Sequence, residues 1–228
     1  AEHYQFTREA QDAFAIESLT RAKKAVEDGT FAPEVEPIAV KTRKGETLVE
    51  GDEQPFNANI DKIPQLKPAF RKGGTVTPAN SSSISDGAAA LVLMKRSEAE
   101  KRGLVTIAVL HAHSTHSQEP NWFTTAPIGS IKKVLDKVGW SKDEIDLFEI
   151  NEAFAVVAMA AMRDLDIPHD KINVHGGACA LGHPVGASGS RIIVTLLNAL
   201  EKYDLRKGVA SLCIGGGEAT AVAVERVN

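Results

Sequence analysis

Apolar residues Ala10, Phe14, Leu19, Ala22 and Val26 recur at helical spacing over residues 8–28. Thr7 stands at the N-cap position and Gly29 just past the last periodic residue, so the pattern predicts one amphipathic helix. From Ala32 to about Thr77 the periodicity breaks up. Val35, Ile38 and Val40 alternate as in a short strand, Lys44-Gly45 reads as a turn, and Pro55, Pro64 and Pro68 mark irregular chain. A long ordered loop of this kind is more often functional than accidental. The composition changes after Asp86-Gly87. Ala88–Met94 is an apolar run of strand length, Ser97 is placed to cap a short helix to Arg102 with Gly103 beyond it, and Ile107–His111 reads as another strand. Ile128–Val138 is helical, Ser141 and Glu144 form a capping box, and Leu147–Ile150 is a short buried strand. A helix at Ala153–Asp164, a strand at Ile172–Val174 and a helix at Ser188–Lys202 follow. The strands Val209–Ile214 and Ala219–Val224 then close the chain, joined by Gly215-Gly216-Gly217. This order, βαβαβαβαββ, predicts an α/β fold: a mixed, mostly parallel sheet with helices on both faces and a closing antiparallel strand.

Composition narrows the class. The 228 residues carry 26 Lys+Arg against 30 Asp+Glu, a formal charge of −4, which argues against a broad nucleic-acid footprint. Aromatics make up 5%, leaving few platforms for stacking bases. No apolar run reaches the roughly 20 residues of a membrane span, and the first residues have neither the basic nor the apolar region of a signal peptide, so no membrane partner and a cytoplasmic location are expected. Two cysteines, Cys179 and Cys213, do not make a disulfide framework and suit a reducing compartment.

Three segments fall where strands of this pattern end, the usual ligand position of open α/β sheets. They are Asn151-Glu152-Ala153-Phe154, the glycine-rich run His175–Ser190 with Gly182-His183-Pro184, and Cys213-Ile214-Gly215-Gly216-Gly217. Glycine turns let a ligand approach the backbone, where amide N–H groups can hold an oxyanion. A cysteine beside such donors and within reach of a histidine can be a nucleophile or a general base; alternatively Cys213 is a small buried hydrophobe at a hairpin turn.

In this order and near these spacings, Asn-Glu-Ala-Phe, Gly-Gly-Ala-Cys-Ala-Leu-Gly-His-Pro-Val-Gly-Ala-Ser-Gly and Cys-Ile-Gly-Gly-Gly resemble the C-terminal half of thiolases of the acetyl-CoA acetyltransferase type. Upstream, Arg8-Glu9-Ala10-Gln11-Asp12, Asp52-Glu53-Gln54-Pro55 and Leu66–Gly87 match as well. The resemblance implies an acyltransferase of fatty acid metabolism with acetyl-CoA or 3-ketoacyl-CoA as partner, coenzyme A thioesters being substrates and no resident cofactor or metal being needed. It implies residues 1–86 as part of a loop-rich helical cap, the thiolase loop domain, and 87–228 as the C-terminal domain. It also implies a homo-oligomer, dimer or tetramer, and a chain that starts too late to hold the family's acyl-accepting cysteine and is inactive without the missing N-terminal half.

The same resemblance assigns roles. Cys213 is the base that exchanges a proton with the second acyl group and the leaving CoA thiol, a task for which its ordinary pKa of about 8.5 needs a modest downward shift. His183 activates the nucleophile and donates to a thioester oxyanion, Asn151 fixes a water completing that pair, and the Gly215 amide is half of a second oxyanion hole. Ser82, Ala153 and Phe154 contact the pantetheine arm, and Phe123 lines the pocket. A β-ketoacyl synthase shares the duplicated architecture but is not expected to offer Cys-Ile-Gly-Gly-Gly, and a non-catalytic thioester- or lipid-binding relative would not need Cys213, His183 and Asn151. Cys179 is expected to pack in the core, and His111, His113 and His116 to form an exposed strand-end cluster with no carboxylate or cysteine nearby to complete a metal site. Lys41, Arg43, Lys44, Arg71 and Lys72 are candidates for CoA phosphates or a solvated basic face; Phe56 stands where relatives often carry an arginine.

Overall fold

The computed structural model describes residues 1–43 and 45–227, so Lys44, half of the expected Lys44-Gly45 turn and one of the basic candidates, lies outside the described residues. Helix α1 runs Arg8–Glu27, and the Thr7 side chain accepts from the Ala10 N–H as its cap. It buries Phe14, Ala15, Leu19, Ala22 and Ala25, together with the polar Gln11, Asp12 and Ser18. The loop-rich region holds a two-stranded antiparallel hairpin, β1 (Ile38–Thr42) and β2 (Gly45–Val49), and a short helix α2 (Gln54–Asn57). Arg8 anchors this region, donating to the carbonyls of Ile63 and Leu66 at 3.0 and 2.9 Å.

The remaining elements are α3 (Arg96–Lys101), β3 (Ala108–Ser117), α4 (Ala126–Val138), β4 (Leu147–Ile150), α5 (Ala155–Leu165), α6 (Ala178–Leu181), α7 (Ser188–Lys202), β5 (Lys207–Ile214) and β6 (Glu218–Arg226). Four strands form one mixed sheet in the order β3-β6-β5-β4. Period-two alternation sends its side chains to two cores. Phe148, Ile150, Val209, Cys213, Ala221 and Ala223 pack with residues of α4 and α5, whereas Leu147, Ala210 and Val224 pack with Ile192, Leu196, Ala199 and Leu200 of α7. Helices thus cover both faces, as the pattern predicts.

The balance of pairing differs from the expected one. Only β4 and β5 run parallel, while β5–β6 and β6–β3 are antiparallel. Two expected strands account for the difference. Ala88–Met94 joins no sheet among the described residues and leaves Val92 87% exposed. Ile172 makes a single parallel bridge to Phe148, because Asn173 takes the left-handed conformation (φ 46°) and ends the extended run. Two smaller shifts have local causes. Helix α3 starts after Lys95, which places Ser97 inside it, and α5 starts at Ala155 because Phe154 is extended and bridges Ser81.

Candidate active site

Strand register brings two of the expected residues to one edge. In the parallel pair, Ile150 lies opposite Ser211, and the Asn151 N–H donates to the Ser211 carbonyl at 3.0 Å. Asn151 and Cys213 therefore both stand at the C-terminal ends of β4 and β5, where α/β sheets bind ligands. Cys213 is 8% exposed and shares its core with Ala153, against which Phe123 and Phe154 pack. Burial pushes its thiol up to about 11, the reverse of the modest downward shift expected from the sequence, because apolar surroundings disfavour the thiolate. The resting group is a neutral thiol.

His183 reaches the same edge from the glycine-rich run. Gly182 precedes it at φ 89°, and a Cβ there would collide with the Ser85 hydroxyl, so only glycine makes this turn. The His183 N–H then donates to the Ser83 carbonyl at 3.0 Å. Its ring lies between two partners: Nδ1 is 2.5 Å from Ser188 Oγ and Nε2 is 3.4 Å from Asn151 Nδ2. Ser188 Oγ spends its own proton on the Pro184 carbonyl at 3.1 Å, so it accepts from His183, and Nδ1 carries the ring proton. Nε2 is left as an acceptor. Burial first, and the nearby Arg191 charge second, hold the imidazole below its ordinary pKa. A neutral ring with an available Nε2 is the form of a general base. Asn151 Oδ1 is buried and takes no hydrogen bond among the described residues, an acceptor left for an outside donor.

Among the expected thioester-arm residues, Ser82 and Ala153 are hydrogen-bonded to each other. The Ser82 N–H and hydroxyl both donate to the Ala153 carbonyl, at 3.1 and 3.0 Å, and the Ala155 N–H donates to Asn80 O at 2.9 Å. Phe154 meets the exposed Phe70 edge-on at 6.0 Å. On the hairpin turn after Cys213, Gly215 is exposed with open space where a side chain would begin, whereas a Cβ on Gly217 would strike the Gln118 carbonyl. The backbone at Gly215 is thus approachable from outside.

Several residues inside the quoted motifs have contacts at the site that the motifs do not state. Glu152 is 1% exposed and its carboxylate accepts from Ser18 Oγ (2.7 Å), Asn173 Nδ2 (2.8 Å) and the Cys179 N–H (3.1 Å). It ties α1 and the glycine-rich run to the residue after Asn151. Ser188 opens α7 five residues after the histidine, within the same glycine-rich run. Cys179 packs with Phe14, Ala155 and Ala158, and burial raises its thiol, in keeping with a core residue.

The other candidates lie apart from this edge. His111 pairs with Glu225 at 3.0 Å and His116 with Gln118 at 3.2 Å, and no group of three or more His, Cys, Asp or Glu among the described residues is placed to hold a metal ion. Lys41 and Arg43 are exposed in and beside the hairpin, Lys72 is exposed, Arg71 pairs with Glu2, and Phe56 is exposed. No helix among the described residues is long and apolar enough to cross a membrane.

Comparison with known proteins places the chain's sequence and fold. The model of the thiolase C-terminal domain matches residues 104–226, and that of the thiolase N-terminal domain matches residues 1–97. The cytosolic acetyl-CoA acetyltransferase of Mus musculus is 48% identical over 229 residues, which cover 99% of this chain and 58% of that protein. Among solved structures, the acetyl-CoA acetyltransferase of Bacillus anthracis superposes with a TM-score of 0.96 at 43% identity, and the Acat5 thiolase of Ascaris suum in complex with coenzyme A with 0.88 at 38%. Each superposition covers 99% of this chain and 58% of the other. The chain therefore spans little more than half the length of the relatives it matches.

Proposed function

The chain belongs to the thiolase family, and from that premise we propose that it is the part of a CoA-thioester acyltransferase that supplies the proton-transfer groups and oxyanion donors for condensing two acetyl-CoA or for cleaving a 3-ketoacyl-CoA with CoA. The α-carbon of a thioester is a poor acid, so its proton leaves only to a placed base beside donors that hold the enolate. His183 Nε2 takes the proton of an acyl-accepting cysteine as that sulfur attacks the thioester carbonyl. The departing CoA sulfur takes the Cys213 thiol proton, and the resulting Cys213 thiolate then takes a proton from the α-carbon of the second acyl group. That carbanion attacks the acyl-enzyme, the acyl-accepting sulfur leaves, and it recovers its proton from His183. The Gly215 N–H and Asn151, with a bound water, serve the two oxyanions. A neutral Cys213 thiol is the form this cycle starts from.

In this reading residues 1–86 belong to the loop domain and 87–228 to the C-terminal domain. Ser82, Ala153, Phe154 and Phe123 line the thioester arm, the thioester is substrate, and no resident cofactor takes part. The acyl-accepting cysteine comes from a further segment, since Cys213 serves as the base and Cys179, half-buried against Phe14, Ala155 and Ala158, has a thiol that burial and the neighbouring Glu152 hold protonated. The assembled enzyme is a cytoplasmic homo-oligomer. The observation that carries the reading is the Ser188–His183–Asn151 chain at the strand end that also bears Cys213. A thiolysis assay with acetoacetyl-CoA tests it: the chain alone gives no turnover, and adding a separately made segment bearing a thiolase acyl-accepting cysteine restores it. Turnover by the chain alone that Cys213→Ala abolishes would make Cys213 the acyl carrier and overturn the roles.

A further inference from the structure

A buried arginine–glutamate pair beside the site plays no part in the proton transfers above. Arg191 Nη1 lies 3.1 Å from Glu149 Oε1, with the Glu149 side chain 3% and the Arg191 side chain 20% exposed. Both residues sit one step from the residues that hold the His183 ring. Arg191 follows Ser188 by three residues on α7, and Glu149 on β4 stands two residues before Asn151, which continues the strand's pairing through its N–H to Ser211 O. Helix and strand are thus joined by two parallel rungs: Arg191 to Glu149, and Ser188 through His183 to Asn151.

Resting on the reading of His183 as a base, we propose that the Arg191–Glu149 pair is a positioning device for it, fixing the first turn of α7 against β4 so that the ring stays between Ser188 and Asn151 with its proton on Nδ1. One rung would let the helix pivot about the histidine; two set both its rotation and its slide along the strand. For stability alone an apolar pair of similar volume would serve as well, because desolvating two charges offsets much of their attraction. The pair adds direction, through the planar guanidinium, and a fixed positive charge near the imidazole.

The surroundings show how finely that charge is balanced. Glu34 and Asp52 face the same guanidinium from the loop region, Glu152 faces Glu149 from beyond Asn151, and Thr195 on α7 donates to Glu34 at 3.2 Å. Burial pushes Glu149 up to about 8 and Glu34 up to about 7. One cation therefore serves several carboxyl groups, some of which keep their protons near neutrality. The field at His183 then depends on Arg191 more than on any one carboxylate.

The test is long-range proton–nitrogen NMR of the His183 ring in the whole chain, which reports both its tautomer and its pKa. Arg191→Met is expected to raise the His183 pKa by about half a unit or more and to mix the two tautomers. Arg191→Lys should restore the pKa while the tautomers stay mixed, because a point charge lacks the fork that orients α7. Glu149 keeps its proton where His183 titrates, so Glu149→Gln, which retains an acceptor for Arg191, should leave both the Nδ1–H form and the His183 pKa unchanged. If thermal stability falls but Arg191→Lys keeps the single Nδ1–H tautomer of the wild type, the pair is structural and the proposal fails; this variant decides it even where Arg191→Met does not fold. In the reconstituted thiolysis assay Arg191→Lys should lower kcat about tenfold with KM changed by less than about twofold. A wild-type chain that never turns over in that assay contradicts the acyl-transfer reading and leaves the NMR result on Arg191 standing.

Discussion

Asn173 stitches itself to the strand that ends at Asn151: its Oδ1 accepts from the Ile150 N–H and its Nδ2 donates to the Ile150 carbonyl, both at 2.8 Å. The side chain takes the place of a neighbouring strand, and the same Nδ2 donates to Glu152 at 2.8 Å. Asn173→Ala leaves a buried N–H, a carbonyl and a carboxylate short of a partner, so it should cost about 2–4 kcal/mol of unfolding free energy. Urea denaturation of the variant checks this; a loss below about 1 kcal/mol would mean that the strand end is held by something else.

Ser188→Ala removes the acceptor of the His183 Nδ1 proton without touching Nε2. Losing that one hydrogen bond should shift the tautomer balance and lower kcat of the reconstituted enzyme about tenfold, with KM nearly unchanged. Steady-state kinetics decides, and a rise in KM at constant kcat would place Ser188 in binding rather than in orientation.

Stability should fall on the acid side through His175. Burial holds this 3%-exposed imidazole down at about 4 against an ordinary 6.5. The unfolded chain thus binds a proton that the fold refuses, and the stabilisation present above pH 6.5 is lost as pH falls to about 4, by about 3 kcal/mol. Glu149 has the opposite sign: raised from 4.5 to about 8, it keeps its proton in the fold, and stability is lost as pH climbs through that window. Unfolding free energies measured across this range should show both limbs, with His175→Phe flattening the acid one and Glu149→Gln the alkaline one. An unchanged acid limb in His175→Phe would assign it to other groups.

The long elements were legible because their burial is periodic. The bounds of α7 and the caps of α1 follow from apolar spacing and from Thr7, and the Gly215–Gly217 hairpin from its glycines. The chain near Asn173 was not, since its extended run is replaced by side-chain pairing at a left-handed residue, which no hydrophobic period records. Ala88–Met94 has the composition of a strand, yet a strand needs an edge to pair with, and no composition states where that edge is. At the site, Cys213, His183 and Asn151 came from motif resemblance; Glu152 and Ser188 lie in the same motifs, but what they do rests on contacts the motifs do not state, the Ser18–Glu152 bond spanning 134 residues of sequence. Glu149 left one trace: a lone carboxylate within the otherwise apolar strand Leu147–Ile150.

The role of Cys213 is the claim on which the proposed chemistry turns, and rapid-quench kinetics of Cys213→Ser in the reconstituted enzyme tests it most directly. Acylation of the accepting cysteine draws its base from His183, and the departing CoA sulfur can take its proton from solvent in place of Cys213, so radiolabelled acetyl-CoA should still give an acyl-enzyme with an amplitude within about twofold of wild type. Condensation needs the base, and its rate should drop by about a hundredfold or more. A variant that acylates and then condenses at the wild-type rate would remove Cys213 from the reaction.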